Sequence, residues 1–222
     1  MSLKKNDFIE VEFTGRVKNG EIFDSNIKED LKKINPKSEA KPFIFSLGNG
    51  MFLKGIDDFL IGKPEPSKPE SYNINLPAEK AFGDRQPQLV KLIPESVFSQ
   101  QNLNPVQGVT FNFDGRIGKV LSVSRGRIMV DFNNPIAGKD VVYDIRVLRK
   151  ITDLNEKVKS FIDFLFRRQF DFEIKENSLI LKVEKQMEPF IKLFSEKIKE
   201  ILGLDLEVKL IEESIKPSKK SQ

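Results

Sequence analysis

The chain has no cysteine and no histidine among its 222 residues. Without cysteine there is no disulfide and no thiolate chemistry. Without histidine the commonest general base and metal ligand is missing, and a zinc site is not expected. No apolar run is long enough to span a bilayer. The N-terminal MSLKKNDF lacks the apolar core of a signal peptide, so a cytoplasmic location is expected. Charge of neither sign dominates. The net charge of +4 is mild for this length and does not argue for specific nucleic-acid binding. No metal, no cofactor and no membrane partner is expected. What remains is a globular chain, 39% hydrophobic and 32% charged, long enough for one to three domains.

The stretch PFIFSLGNGMFLKGIDDFL, residues 42–60, organises the rest. Phe43 and Phe45 alternate with Ile44 and Ser46, the period of a strand. Gly48 and Gly50 supply a tight turn. Phe52, Leu53, Ile56, Phe59 and Leu60 then form one face of a short helix, with Asp57 and Asp58 expected on the other face. So short a helix is marginal alone and must lie on an apolar sheet.

Before it, DFIEVEF alternates as a strand that Thr14–Gly15 is expected to break. Asn19–Gly20 is a hairpin signal, and residues 21–24 return as a strand. The charged stretch 25–41 reads as a long loop with one helical turn. After it, Tyr72, Ile74 and Leu76 share one side of a strand that Pro77 ends. From residue 84 the texture changes. LVKLIPESVF is an apolar run in which Pro94 can open a helix. Three alternating strands follow, turning at Asp114–Gly115 and Arg125–Gly126, and DVVYDIRVL is a further core strand. The last third reads as α-β-β-α-β, its second helical stripe running from Phe190 to Leu202 and stopped by Gly203. The end, KPSKKSQ, is polar and expected to be disordered.

Four separated motifs carry a resemblance. VEFTGRVKNGEIFDS, the stretch at 42–60, PAEKAFG and DVVYDIRVL resemble, in order, segments of FKBP-type peptidyl-prolyl isomerases. Where most members have a short flap, this chain resembles the SlyD-like branch with an insert-in-flap domain. The loop at 25–41 and the C-terminal block are similar to the longer archaeal members. The resemblance implies an α+β fold, an FKBP-like antiparallel half-barrel sheet around a short helix. To this it adds an inserted small β-rich domain and a C-terminal α/β sandwich domain. The domains expected are 1–85 plus 134–150 (isomerase), 86–133 (insert-in-flap chaperone), 151–214 (C-terminal) and a disordered tail, 215–222.

The resemblance places the site at Phe13, Phe23, Asp24, Phe43, Phe52, Leu53, Ile56, Phe82 and Tyr143. Ile56 is its floor, Phe23, Phe43 and Tyr143 are its walls, and Asp24 is polar at its edge. Read from periodicity alone, the same residues are core packing. The chemistry suits the composition. An Xaa–Pro bond isomerises slowly because twisting it loses amide resonance, a barrier of about 18–20 kcal/mol. A dry apolar pocket that favours the twisted amide lowers that barrier by differential binding, with no base or metal.

Two residues depart from the family. Phenylalanine replaces the usual tyrosine at Phe13 and Phe82, and the second of these removes a hydroxyl donor to the substrate carbonyl. A non-catalytic holdase with a decayed pocket is therefore the alternative, and a plain interaction module the third reading. In the insert, Leu92, Val97, Met129 and Phe132 are expected to line a groove for unfolded segments, because so small a domain closes its core poorly. Expected partners are unfolded or nascent polypeptides, with the ribosome and a homodimer through the C-terminal domain as further candidates.

Overall fold

The structure is a computed structural model that describes residues 1–211. The tail expected at 215–222, and the last residues of the block expected at 151–214, lie outside the described residues. The fold is mixed α/β with mainly antiparallel sheets. Strand β1 (Phe8–Val17) is followed by β2 (Ile22–Ser25), α1 (Lys28–Ile34), β3 (Phe43–Ser46), α2 (Lys54–Leu60) and β4 (Glu70–Leu76). Next come β5 (Val90–Pro94), α3 (Glu95–Gln100), β6 (Thr110–Phe113), β7 (Arg116–Ser124), β8 (Arg127–Asp131) and β9 (Val141–Ile151). The chain continues through α4 (Leu154–Phe166), β10 (Phe172–Lys175), β11 (Ser178–Glu184), α5 (Glu188–Lys192), α6 (Ser195–Leu202) and β12 (Asp205–Ile211). One sheet runs β2-β1-β9-β4 with β3 on β1, a second β5-β8-β7-β6, and a third β10-β11-β12.

Two compact units result. The first comprises residues 1–14, 24–74 and the described part of 144–222. Here β3 pairs antiparallel with β1, Val11 opposite Phe43 and Ile9 opposite Phe45, so both strands turn apolar side chains to one face. The other face of β1 meets α4, where the Phe8 and Phe161 rings pack edge to face at 6.4 Å. Asp153 caps α4 by accepting from the Glu156 amide at 2.8 Å. Arg149 clamps the join from β9, bonding Glu10 at 2.7 Å and Glu156 at 2.9 Å. In the third sheet β11 pairs antiparallel with β10 but parallel with β12, and the connection between β11 and β12 carries α5 and α6.

The second unit comprises residues 15–23 and 75–143. Its four-stranded sheet folds over α3, whose Phe98 is fully buried with Val120, Ile128 and Val130. The turns fall where expected: Asp114 and Gly115 have φ of 48° and 86°, and Arg125 and Gly126 have 37° and 79°. The apolar run before Pro94 forms a fourth strand, β5, instead of remaining unassigned.

Three expectations are corrected. Thr14–Gly15 does not break β1, which runs on to Val17. Gly15 serves packing instead of a turn: a Cβ there would lie 2.7 Å from the Tyr143 ring. The helix expected across 190–202 is split into α5 and α6. Leu193 and Phe194 bond back three residues, and the Ser195 hydroxyl donates to the Lys192 carbonyl at 2.6 Å, competing with the helical ladder. Asp57 is buried, not on the outer face of its helix.

The Gly15 contact gives the first prediction. Gly15→Ala presses a methyl group into the Tyr143 ring and should destabilise the fold by about 1–3 kcal/mol. Urea unfolding measures this, and an unchanged midpoint would mean that the ring moves aside freely.

Candidate functional site

In the first unit the site residues gather around Phe52. This residue leaves the glycine turn just before α2, and its ring lies 4.9 Å from Phe13, 5.1 Å from Phe43 and 5.4 Å from Phe45. Phe13 and Phe43 meet at 5.5 Å. The β1–β3 register is the cause, because it puts these rings on one face of neighbouring strands. Leu53, half-buried, is the residue that caps α2, and Ile56, one turn on, is fully buried. Gly48 and Gly50, at φ of 74° and 67°, let the chain reverse tightly enough to bring Phe52 back over the strands.

Asp24 lies half-buried in β2. Burial raises its carboxyl above the usual range, and a hydrogen bond from the Ser25 backbone opposes the rise. The residues after it form a polar bracket. Ser25 donates to the Phe13 carbonyl at 2.9 Å and accepts from the Ile27 amide at 3.0 Å. Thr14 donates to Asp30 of α1 at 2.9 Å. The Asn26 side chain accepts from the Phe13 amide at 2.7 Å and donates to the Val11 carbonyl at 2.9 Å and the Lys41 carbonyl at 3.3 Å. One amide thus ties β1 to both ends of the 25–41 stretch. Sequence reasoning passed over Asn26, whose only signal was its place after the aspartate and serine of the FDS motif.

Asp57 was also missed. Its carboxyl is pushed up to about 6, first by burial and then by the adjacent Asp58, while the Gly48 and Gly50 backbone and Lys54 pull it down. Its Oδ1 has no hydrogen-bond partner among the described residues. The glycine turn that delivers Phe52 is therefore tied to a carboxylate that is costly to ionise.

In the second unit Phe23 joins the other two expected aromatics, meeting Phe82 at 5.4 Å and Tyr143 at 5.8 Å, both edge to face. Tyr143 is almost fully buried, whereas Phe23 and Phe82 are half-buried. The four residues expected to bind clients do not all fall together. Leu92 and Met129 are cross-strand partners on β5 and β8, and both are exposed. Val97 is half-buried on α3. Phe132 packs instead beside the interior cluster, 5.4 Å from Phe113, with the Arg116 guanidinium 5.1 Å from its ring. Ile117 and Val123 of β7 add exposed apolar surface. Asp131 and Asn133, where the chain leaves the sheet, are buried. Asp131 pairs with Arg85 and accepts from the Asn133 amide and side chain, and Asn133 bonds Gln86 in both directions.

Residues 91–136 match the family described as "FKBP26, IF domain". Over 148 residues, 65% of this chain and 92% of the relative, the chain is 29% identical to the short-type peptidyl-prolyl cis-trans isomerase of Methanocaldococcus jannaschii. It is 28% identical to a probable FKBP-type 16 kDa peptidyl-prolyl cis-trans isomerase of Pseudomonas fluorescens, over 65% of this chain and 89% of that one. It is 32% identical to the human peptidyl-prolyl cis-trans isomerase FKBP2, over 37% of this chain and 49% of that one.

Asp57 gives the second prediction. Its pKa is 3.8 in the unfolded chain and about 6 in the fold, so the fold binds the proton more tightly. Stability should therefore fall as pH rises from about 4 to about 6. Asp57→Asn should remove that slope and be more stable than the parent at pH 7. Equal slopes in the two proteins would contradict the assignment.

The matched insert and these relatives make the chain similar to FKBP-type peptidyl-prolyl isomerases.

Proposed function

We propose that this chain isomerises Xaa–Pro bonds of unfolded polypeptides, and that residues 86–133 capture those clients for residues 1–85 plus 134–150. The observation that carries the isomerase reading is the ring cluster of Phe13, Phe43 and Phe52, with Ile56 buried one turn on from Phe52. It is an apolar surface that can accept a proline ring and favour the less polar, twisted amide. No proton needs to move, so the absence of histidine and cysteine from the sequence is no obstacle. Asp24, its carboxyl desolvated, supplies the polar edge. Phe23, Phe82 and Tyr143, clustered in the second unit, are the aromatic residues that the resemblance adds to this reading.

The insert-in-flap, SlyD-like assignment is supported by the match at 91–136 and by the exposed Leu92–Met129 pair. Such a pair adds apolar area for extended segments that a proline pocket cannot hold. The long, three-domain arrangement with a C-terminal block at 151–214, and a cytoplasmic location, belong to the same proposal. Phenylalanine at position 82 favours a second reading, a holdase with a weakened pocket, because the substrate carbonyl loses one donor.

A protease-coupled assay on a proline tetrapeptide separates the readings. Micromolar protein should accelerate exchange, Asp24→Ala and Phe43→Ala should reduce it, and Phe82→Tyr should raise it. The gain from the restored donor is about tenfold at most, since a hydrogen bond contributes about 0.5–1.5 kcal/mol. No acceleration by the parent protein would establish the holdase. For the insert, Leu92→Ser with Met129→Ser should leave the tetrapeptide rate within twofold and lower catalysis of proline-limited protein refolding severalfold. Equal loss of both activities would refute client capture there.

A further inference from the structure

The C-terminal block has no role in the reading above, yet its first helix walls a cavity of the first unit. This groove of about 830 Å³ lies between α4 on one side and β3 with the 25–41 stretch on the other. That volume is within the range of about 300–1,000 Å³ typical of ligand sites. Phe13 and Phe43, two of the ring residues of the candidate proline site, line it as well. The groove therefore shares two residues with that site, and, resting on the isomerase reading, this suggests its occupant. A client held by its proline must run on in both directions from the pocket.

The lining chemistry favours a neutral, extended polypeptide over a strongly charged ligand. Glu39, Glu156 and Asp163 balance Lys41, Lys159 and Arg167 around the rim. Glu156 shares Arg149 with Glu10, so adding this pair leaves the balance unchanged. Net charge is thus not available to concentrate phosphate or nucleic acid. Leu31, Pro42 and Phe164 offer apolar surface to side chains, and the flanking polar groups can meet a peptide backbone. The α4 wall is fixed in place. Phe161 packs on Phe8, Arg149 bridges Glu10 and Glu156, and farther along the block Glu200 bonds the Lys5 ammonium and the Asn6 amide. Arg167 ends α4 at φ 52°, a left-handed conformation unusual for arginine, with its guanidinium 5.7 Å from the Phe164 ring.

We propose that the groove between α4 and β3 binds the segment of the client chain adjoining the isomerised proline. The C-terminal block is then a substrate-binding element that sets how much chain the enzyme engages around each proline. Ser160 and Phe164 are the residues that decide it from the α4 side.

The test compares a proline tetrapeptide with ten-residue peptides that extend it on either side with apolar and neutral polar residues. Burying one further apolar side chain is worth about tenfold in affinity. At least one extended peptide should therefore show KM lower by about that factor. Ser160→Arg, which plugs the groove, and Phe164→Ala, which widens it, should remove most of that gain and leave tetrapeptide kcat/KM within twofold. Leu92→Ser should keep the gain, which separates the groove from the insert. No gain in the parent, or a gain that survives both α4 variants, overturns the proposal. If the tetrapeptide itself is not turned over, the isomerase reading fails. Fluorescence anisotropy of the labelled extended peptide, with the same variants, then still decides the groove.

Discussion

The position of Phe52 is the constraint on which the candidate site rests. A seven-residue helix such as α2 has little stability of its own and takes its place from what it lies on. One ring, in contact with Phe13, Phe43 and Phe45 at once, fixes the start of that helix against two paired strands. Each such aromatic pair is worth about 0.5–1.5 kcal/mol beyond the area it buries. Ile56 follows a turn later and is fully buried. The rings that could hold a proline are thus the same rings that hold the fold together. A pocket built this way is preorganised at no additional cost in order.

Polar groups around the cluster govern backbone placement instead of chemistry. Asn26 replaces three main-chain partners with one side chain and holds β1 against the ends of the 25–41 stretch. Ser25 and Thr14 continue that bracket to α1. The buried carboxyl of Asp57 works against stability when ionised, so the glycine turn is held by a group whose charge is unfavourable there. Asp131 is the opposite case. Burial pushes its carboxyl up, but the Asn133 donors and the Arg85 charge more than compensate and hold it below the usual range. It fixes Arg85, Gln86 and Asn133, which frame the two ends of the expected insert.

Strand alternation and turn chemistry were readable from the residues, because period two and paired turn residues act locally. FIFS, the two hairpins near Gly115 and Gly126 and the α-β-β-α-β order of the last third all follow from such signals. Failures came where tertiary contact overrides a local rule. Gly15 looks like a break and is in fact the space for a tyrosine ring. Asp57 belongs by polarity on an outer face, yet α2 begins only at Lys54, and Gly55, Ile56 and Asp57 of its first turn are all buried. Phe132 continues the alternation of the buried Ile128 and Val130, so its packing beside Phe113 was legible, and the expectation that it lines an open groove set that phase aside. The groove beside α4 could not be seen in the sequence at all, since its walls are separated by more than a hundred residues.

The central claim is that the site works by apolar differential binding without moving a proton. The solvent deuterium isotope effect on kcat/KM for a proline tetrapeptide tests it most directly. An effect near unity is predicted, since no O–H or N–H bond breaks as the amide twists. A substantial normal effect, with the rate slowed severalfold in deuterium oxide, would show a proton in flight and contradict the account.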